Sequence, residues 1–306
     1  MKNENTFLEY LPEYNAFGIS DETIKDYSDK GIIPIIELKK EDYEKLGCHA
    51  PSENAPTVAF LMGREKGHYT IDFNYAKAIA QSNVKIRFLT YDSNMSQLNG
   101  VDGLILPGGA FDSPNEFYTD PLKKTDNNPG TRSWAYVTSV MIAKDKKMPI
   151  LGVCAGAQII GGMHGLKMYR SIKEYTDTKI EHKTKDPQAH EINIFPNSPL
   201  YEIIGEKQIV VNSRHNEAIA NIYQKSLSIY AESRDGIPEA WGCEEENILC
   251  VQWHPEDFAS KGDKRMQGIY DWVANKARIY KKQNELKNIN SEKRLIDIIK
   301  NTKFRQ

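Results

Sequence analysis

The stretch PILGVCAGAQIIGG, residues 149–162, decides how this chain of 306 residues is read. Pro149 to Val153 is short and apolar, as a buried strand is, and the residues after Ala155 have the composition of a helix. Between them lies Gly152-Val-Cys154-Ala-Gly156, a turn with a nucleophile flanked at two residues on either side by glycine. The spacing has a physical cause. A nucleophile on a tight strand-to-helix turn sits in a strained backbone conformation, and glycines at these two positions remove Cβ atoms that would clash. The thiol then stands at a helix N-terminus, where aligned peptide dipoles favour the thiolate. The Ala155 amide is left to point at a developing oxyanion.

Outward from this turn the chain alternates strands and helices. Strands are predicted over Pro56–Met62, Val84–Thr90 and Val101–Leu106, and helices over 70–82 and about 131–146. That order predicts an α/β fold with a mostly parallel central sheet and helices on both faces. From about residue 190 the pattern changes to short strands, HEINIF, QIVVNS, SLSIYAES and NILCVQW. These extend the sheet or form a smaller antiparallel one in the C-terminal half, before a last helix at about 257–280. Residues 1–55 are polar, with aromatics scattered among acids, and end in the turn-rich CHAPSENAP. They read as an N-terminal extension to a domain over 56–280. Residues 281–306 read as a charged helical tail with a partial stripe of Leu286, Ile289, Leu295, Ile296, Ile298 and Ile299.

Two other segments complete a reaction centre. Pro107-Gly108-Gly109 follows a predicted strand, and strand ends in open α/β sheets converge on the ligand side. A glycine pair lets backbone approach a substrate carbonyl. The Gly109 and Ala155 amides are assigned to an oxyanion hole. Gln252-Trp-His254-Pro-Glu256 follows the apolar run Ile248–Val251. His254 is the candidate base for the Cys154 thiol, and Glu256 the carboxylate that orients its ring.

Composition narrows the alternatives. The formal net charge is -2, so no basic excess points to nucleic acid. Cys48, Cys154, Cys243 and Cys250 form no CxxC pair and no metal-ligand rhythm with histidines. A reducing, cytoplasmic setting is expected, with no metal and no cofactor. The N-terminus lacks a signal-peptide apolar region, and no run is long enough to span a membrane. His49, His68, His164, His182, His190 and His215 read as structural.

PGG, GVCAG and WHPE, in this order over roughly residues 56–275, resemble the class I glutamine amidotransferase superfamily. The resemblance implies a flavodoxin-like domain and a catalytic triad on Cys154, His254 and Glu256. Val211-Asn-Ser-Arg-His215, the stretch Glu232-Ser-Arg-Asp-Gly-Ile-Pro-Glu-Ala240 and Val251-Gln-Trp-His-Pro-Glu256 are similar to segments of γ-glutamyl-γ-aminobutyrate hydrolases. By that analogy Gln158, Asn212, Ser213, Arg214 and His215 are substrate-binding candidates. Ala155 stands where this branch often has Arg, and PGG where it often has PGS, which leaves the amine side of the substrate open. The expected activity is cysteine-dependent hydrolysis of a γ-glutamyl amide through a thioester. The expected partner is a small γ-glutamyl substrate or a glutamylated peptide, with a homodimer left open. A glutaminase that feeds ammonia to a separate synthase and a non-catalytic relative are the alternatives. The aromatics Phe7, Tyr10, Tyr14, Phe17 and Tyr27 would pack on the domain or dock a partner.

Overall fold

The computed structural model describes residues 3–91, 95–110, 113–120, 130–175, 177–220 and 226–303. An eleven-stranded sheet runs through the molecule. Its centre is parallel, with Lys85–Leu89, Thr57–Leu61, Gly103–Leu106, Ile150–Val153 and Ile248–Val251 side by side. The last four of these are buried at every residue. Their unbroken apolar runs follow from being covered on both faces. One cover is the helix Thr131–Asp145, and another is the long helix Lys264–Lys303, whose Val273 and Ala277 press on Gly103.

Past Ile248–Val251 the strands alternate in direction. Pro238–Cys243, Ser228–Ser233, His190–Ile194 and Gln208–Val211 follow as antiparallel neighbours. In the two outermost, burial alternates residue by residue, as it does where one face meets solvent.

The first 55 residues are woven into this architecture. Ile33–Glu37 pairs antiparallel with Lys85–Leu89, and Asn3–Phe7 pairs parallel with Ile33–Glu37, forming the other edge of the large sheet. Glu9–Leu11 and Ala16–Ser20 join Gly63–Glu65 and His68–Asp72 in a separate four-stranded sheet. Phe17 is fully buried and stacks on Phe73 at 6.3 Å, with Tyr10 edge-on at 5.4 Å. The aromatics Tyr10 and Phe17 therefore pack inward, while the Phe7 side chain lies outside the described residues. Short strands completed by partners well separated in sequence carry no local periodicity, so this segment reads as an extension until the pairing is seen.

Two helix boundaries differ from the pattern-based expectation. His68–Asp72 is a strand, and the helix begins at Phe73 because the Asp72 carboxylate caps it, accepting from Asn74 N–H at 2.8 Å. The final helix is split into Glu256–Ala259 and Lys264–Lys303, and the second continues through the expected tail. Leu286 and Ile289 are exposed there, and the side chains of Leu295, Ile296, Ile298 and Ile299 lie outside the described residues. No helix among the described residues is long and apolar enough to cross a membrane.

Gly156 makes one of the closest approaches in the core. A Cβ there would collide with the Leu106 carbonyl oxygen, a backbone atom of a buried strand that has no room to retreat. Gly156→Ala is expected to cost ~3 kcal/mol of stability, read as a lower urea midpoint at unchanged slope.

Candidate active site

Two neighbouring strands deliver the central pair. Ile150–Val153 and Ile248–Val251 run parallel with Val153 opposite Val251, so the residues just beyond their C-terminal ends emerge together. Cys154 donates its N–H to the Val251 carbonyl at 2.8 Å, which carries the pairing one residue further. The chain then turns sharply into the helix Ala155–Met163, with Cys154 at φ 50°, ψ -114°. Positive φ is costly for a residue with a Cβ and persists only where the surroundings hold it. Gly152 supplies part of that hold, since a Cβ there would lie 2.8 Å from Ala157 Cα.

His254 stands opposite. Its Nδ1 is 2.6 Å from Glu256 Oε1, and Tyr270 donates to the other carboxylate oxygen at 3.2 Å. With Nδ1 engaged, Nε2 is the nitrogen left for the thiol. Gly108 lies between the two side chains: a Cβ on it would sit 3.1 Å from Cys154 Cβ and 3.5 Å from His254 Nε2. Cys154, His254 and Glu256 are all buried, Cys154 and His254 with 8% and 9% of their surface exposed. Burial alone would lower the imidazole pKa. The Glu256 carboxylate and the Cys154 sulfur outweigh it and push the ring up to about 10.

The backbone of His254 is clamped as firmly as its ring. Asn212 accepts from the His254 N–H at 2.8 Å and donates to its carbonyl at 3.0 Å. Nothing in the sequence marks this clamp, because the two residues belong to different strand ends. Tyr75 was likewise hidden. Its hydroxyl accepts from the Gly108 N–H at 3.1 Å and lies 3.4 Å from His254 Nδ1. With the Gly108 amide taken, Gly109 is the residue of the pair whose amide is proposed for an oxyanion. The turn is braced by Arg132, which donates to the Gly108 carbonyl at 2.9 Å, and by Tyr136, which donates to that of Pro107 at 2.9 Å. A cleft of about 340 Å³ opens beside Tyr75 and the Pro107–Gly109 turn, bounded also by Arg64, Asp72 and Arg132. Arg64 is held by Asp21, a residue of the first 55.

The five substrate-binding candidates separate. Gln158 is buried, and its amide donates to the Glu217 carbonyl at 2.8 Å and to Gln252 Oε1 at 3.2 Å. Arg214 is half exposed and ion-paired with Asp257. Asn212, Ser213 and His215 were expected to face substrate, but their side chains are engaged inside the protein. Asn212 holds His254, Ser213 donates to the His182 carbonyl at 2.6 Å, and His215 joins a buried cluster with His182, His190 and Glu239. The segment leaves the sheet edge beside the turn at Gln252–Glu256, so its buried face meets protein rather than solvent.

A Lactococcus lactis protein named as glutamine amidotransferase-like, YvdE, is 32% identical over 160 residues, 51% of this chain and 66% of that relative, just under two thirds of its length. Anthranilate synthase component 2 of Helicobacter pylori is 31% identical over 153 residues, 50% of this chain and 72% of that one. The crystal structure of a glutamine amidotransferase from Thermotoga maritima superposes with a TM-score of 0.53 at 11% identity, over 74% of this chain and 99% of that one, a likeness of fold. The Peptidase C26 family profile matches residues 62–256. The chain belongs to the Peptidase C26 family of class I glutamine amidotransferase-like proteins.

Proposed function

We propose that the protein hydrolyses a γ-glutamyl amide, with Cys154 as nucleophile, His254 as acid and base, and Glu256 as the carboxylate that orients it. The observation that carries this reading is the buried His254–Glu256 contact of 2.6 Å beside a cysteine in positive φ at a helix N-terminus. In the first half-reaction the sulfur attacks the side-chain carbonyl carbon of the glutamyl group. The oxyanion is met by the Ala155 and Gly109 amides. His254 gives its Nε2 proton to the leaving amine, and a γ-glutamyl thioester remains. In the second half, water loses a proton to His254 and attacks the thioester, releasing glutamate and restoring the thiol. The charged side chains of Arg64, Asp72 and Arg132 on the cleft wall suit a charged glutamyl conjugate better than an apolar ligand.

A second reading is supported by the similarity to anthranilate synthase component 2. There the chain would act on free glutamine and pass ammonia to a separate synthase. Glutamine hydrolysis that appears only with an added partner chain would favour it.

A panel of γ-glutamyl conjugates and free glutamine, with glutamate release as the signal, tests the proposal. Wild-type protein is expected to act on at least one conjugate, and Cys154→Ala to lose roughly 10³-fold or more of that rate with an unchanged fold. Undiminished turnover in the alanine variant would remove the mechanism.

The pH dependence supplies a second test. Because the His254 pKa is raised, its imidazolium persists to about pH 10 and is lost above it. The alkaline limb of kcat/KM is expected in that region. Glu256→Gln removes the largest force raising the pKa and is expected to move the limb to lower pH. A limb that stays in place would show that Glu256 does not set the charge state of the ring.

A further inference from the structure

His182, His190, His215 and Glu239 come from four separate places in the chain and meet inside the protein. His182 lies in the loop beyond the helix Ile172–Tyr175, His190 opens the strand His190–Ile194, His215 follows the strand Gln208–Val211, and Glu239 belongs to Pro238–Cys243. Their exposures are 3%, 8%, 4% and 0%. One potential ligand atom from each lies within 4.8 Å of all the others. His182 Nδ1, His190 Nε2, His215 Nε2 and both Glu239 carboxylate oxygens are buried without a hydrogen bond.

The outer nitrogens of the rings explain what the inner ones must be. His182 Nε2 is 3.0 Å from Asp235 Oδ2, His215 Nδ1 is 2.9 Å from the Glu217 carbonyl, and His190 Nδ1 is 3.4 Å from the Glu191 carbonyl. A carboxylate and two carbonyls can only accept, so each ring places its proton outward. A ring that is neutral then presents a lone pair inward. With the rings neutral, three lone pairs and a carboxylate face one another with nothing to donate between them. Such a cluster is unfavourable in a buried, low-dielectric setting unless a cation sits among its members.

The spacing fits one. Glu239 Oε1 is 3.3 Å from His182 Nδ1, 3.5 Å from His190 Nε2 and 3.6 Å from His215 Nε2. Ligands about 2.0–2.1 Å from a tetrahedral zinc ion stand about 3.3–3.4 Å apart. Outward hydrogen bonds of this kind commonly fix metal-bound histidines, and Asp235 is in turn held by the Ser233 and Thr178 hydroxyls. A cavity of about 140 Å³, bordered by His182, His215, Thr178 and Asn216, reaches the cluster from outside and provides a path for an ion.

We infer that His182, His190, His215 and Glu239 form a structural site for a divalent transition metal, zinc by its ligand set. Four protein ligands fill the coordination sphere, so the metal joins chain segments and does not activate water. It ties the 182–190 loop and the segment after Gln208–Val211 to the sheet. The same segment carries Asn212, whose amide clamps the His254 backbone. The metal thereby steadies a positioning residue of the proposed catalytic base, although the site itself does not rest on that assignment.

The test uses the full chain, purified without chelator and with any affinity tag removed. Elemental analysis is expected to find about one zinc per chain, and metal-free protein titrated with cobalt(II) to give the intense visible absorption of four-coordinate cobalt. Glu239→Gln and His190→Ala are expected to lose the metal, and Cys154→Ala to keep it. Chelation should lower the Tm of the wild type and leave that of Glu239→Gln unchanged. Absence of zinc together with failure of metal-free wild type to bind zinc or cobalt would overturn the inference. So would a weak, six-coordinate cobalt spectrum, or full metal content in Glu239→Gln. The wild-type titration decides the matter even where a variant does not fold.

Discussion

The structure depends on a parallel pairing of two four-residue strands. Ile150–Val153 and Ile248–Val251 lie side by side in register; Cys154 follows the first at once, and His254 follows the second after Gln252 and Trp253. Backbone hydrogen bonding thus brings Cys154 and His254 together before any side chain contributes. The positive φ of Cys154 is an expense of about 1–3 kcal/mol that local contacts must hold in place. They do so from both sides. Cys154 N–H is bonded to Val251, its carbonyl accepts from Gln158 N–H, and Gly156 packs directly on the Leu106 carbonyl.

Around that pair, the rest of the molecule removes freedom and water. Glu256 and Tyr75 meet the His254 ring, Tyr270 holds the Glu256 carboxylate, and Asn212 fixes the His254 backbone. Several of these groups reach the site from opposite ends of the sheet. Tyr75 belongs to the helix after the small four-stranded sheet, which the first 55 residues help to build, and Asn212 follows the outermost antiparallel strand. Burial here works against charge on the imidazole, and only the nearby carboxylate and sulfur reverse it. A buried ion-pairing ring of this kind is sensitive to the loss of either neighbour.

What the sequence reveals and what it hides follow from the range of the interactions. Four of the parallel strands are buried on both faces, so they stand out as apolar runs, and the turn at Cys154 is written into two glycines at fixed offsets. Asn3–Phe7 and Ile33–Glu37 are edge strands completed by distant partners, and their composition alone suggests a loose extension. The segment Asn212–His215 resembles a pocket-lining motif, but only the fold shows which side of it meets solvent. Tyr75, Tyr270 and the four-residue cluster at Glu239 are assembled from well-separated positions, and single histidines spread over a chain carry no spacing to read.

Selective alkylation of the thiols tests the central claim most directly. The remaining three cysteines are natural controls, since burial pushes the Cys48, Cys243 and Cys250 thiols up and disfavours their reactive form. A glutamine-like electrophile followed by peptide mass spectrometry should label Cys154 stoichiometrically and first, and more slowly once His254 is replaced by alanine. Labelling of Cys154 no faster than that of Cys48 or Cys243, or unaffected by loss of the imidazole, would contradict an activated nucleophile at this turn.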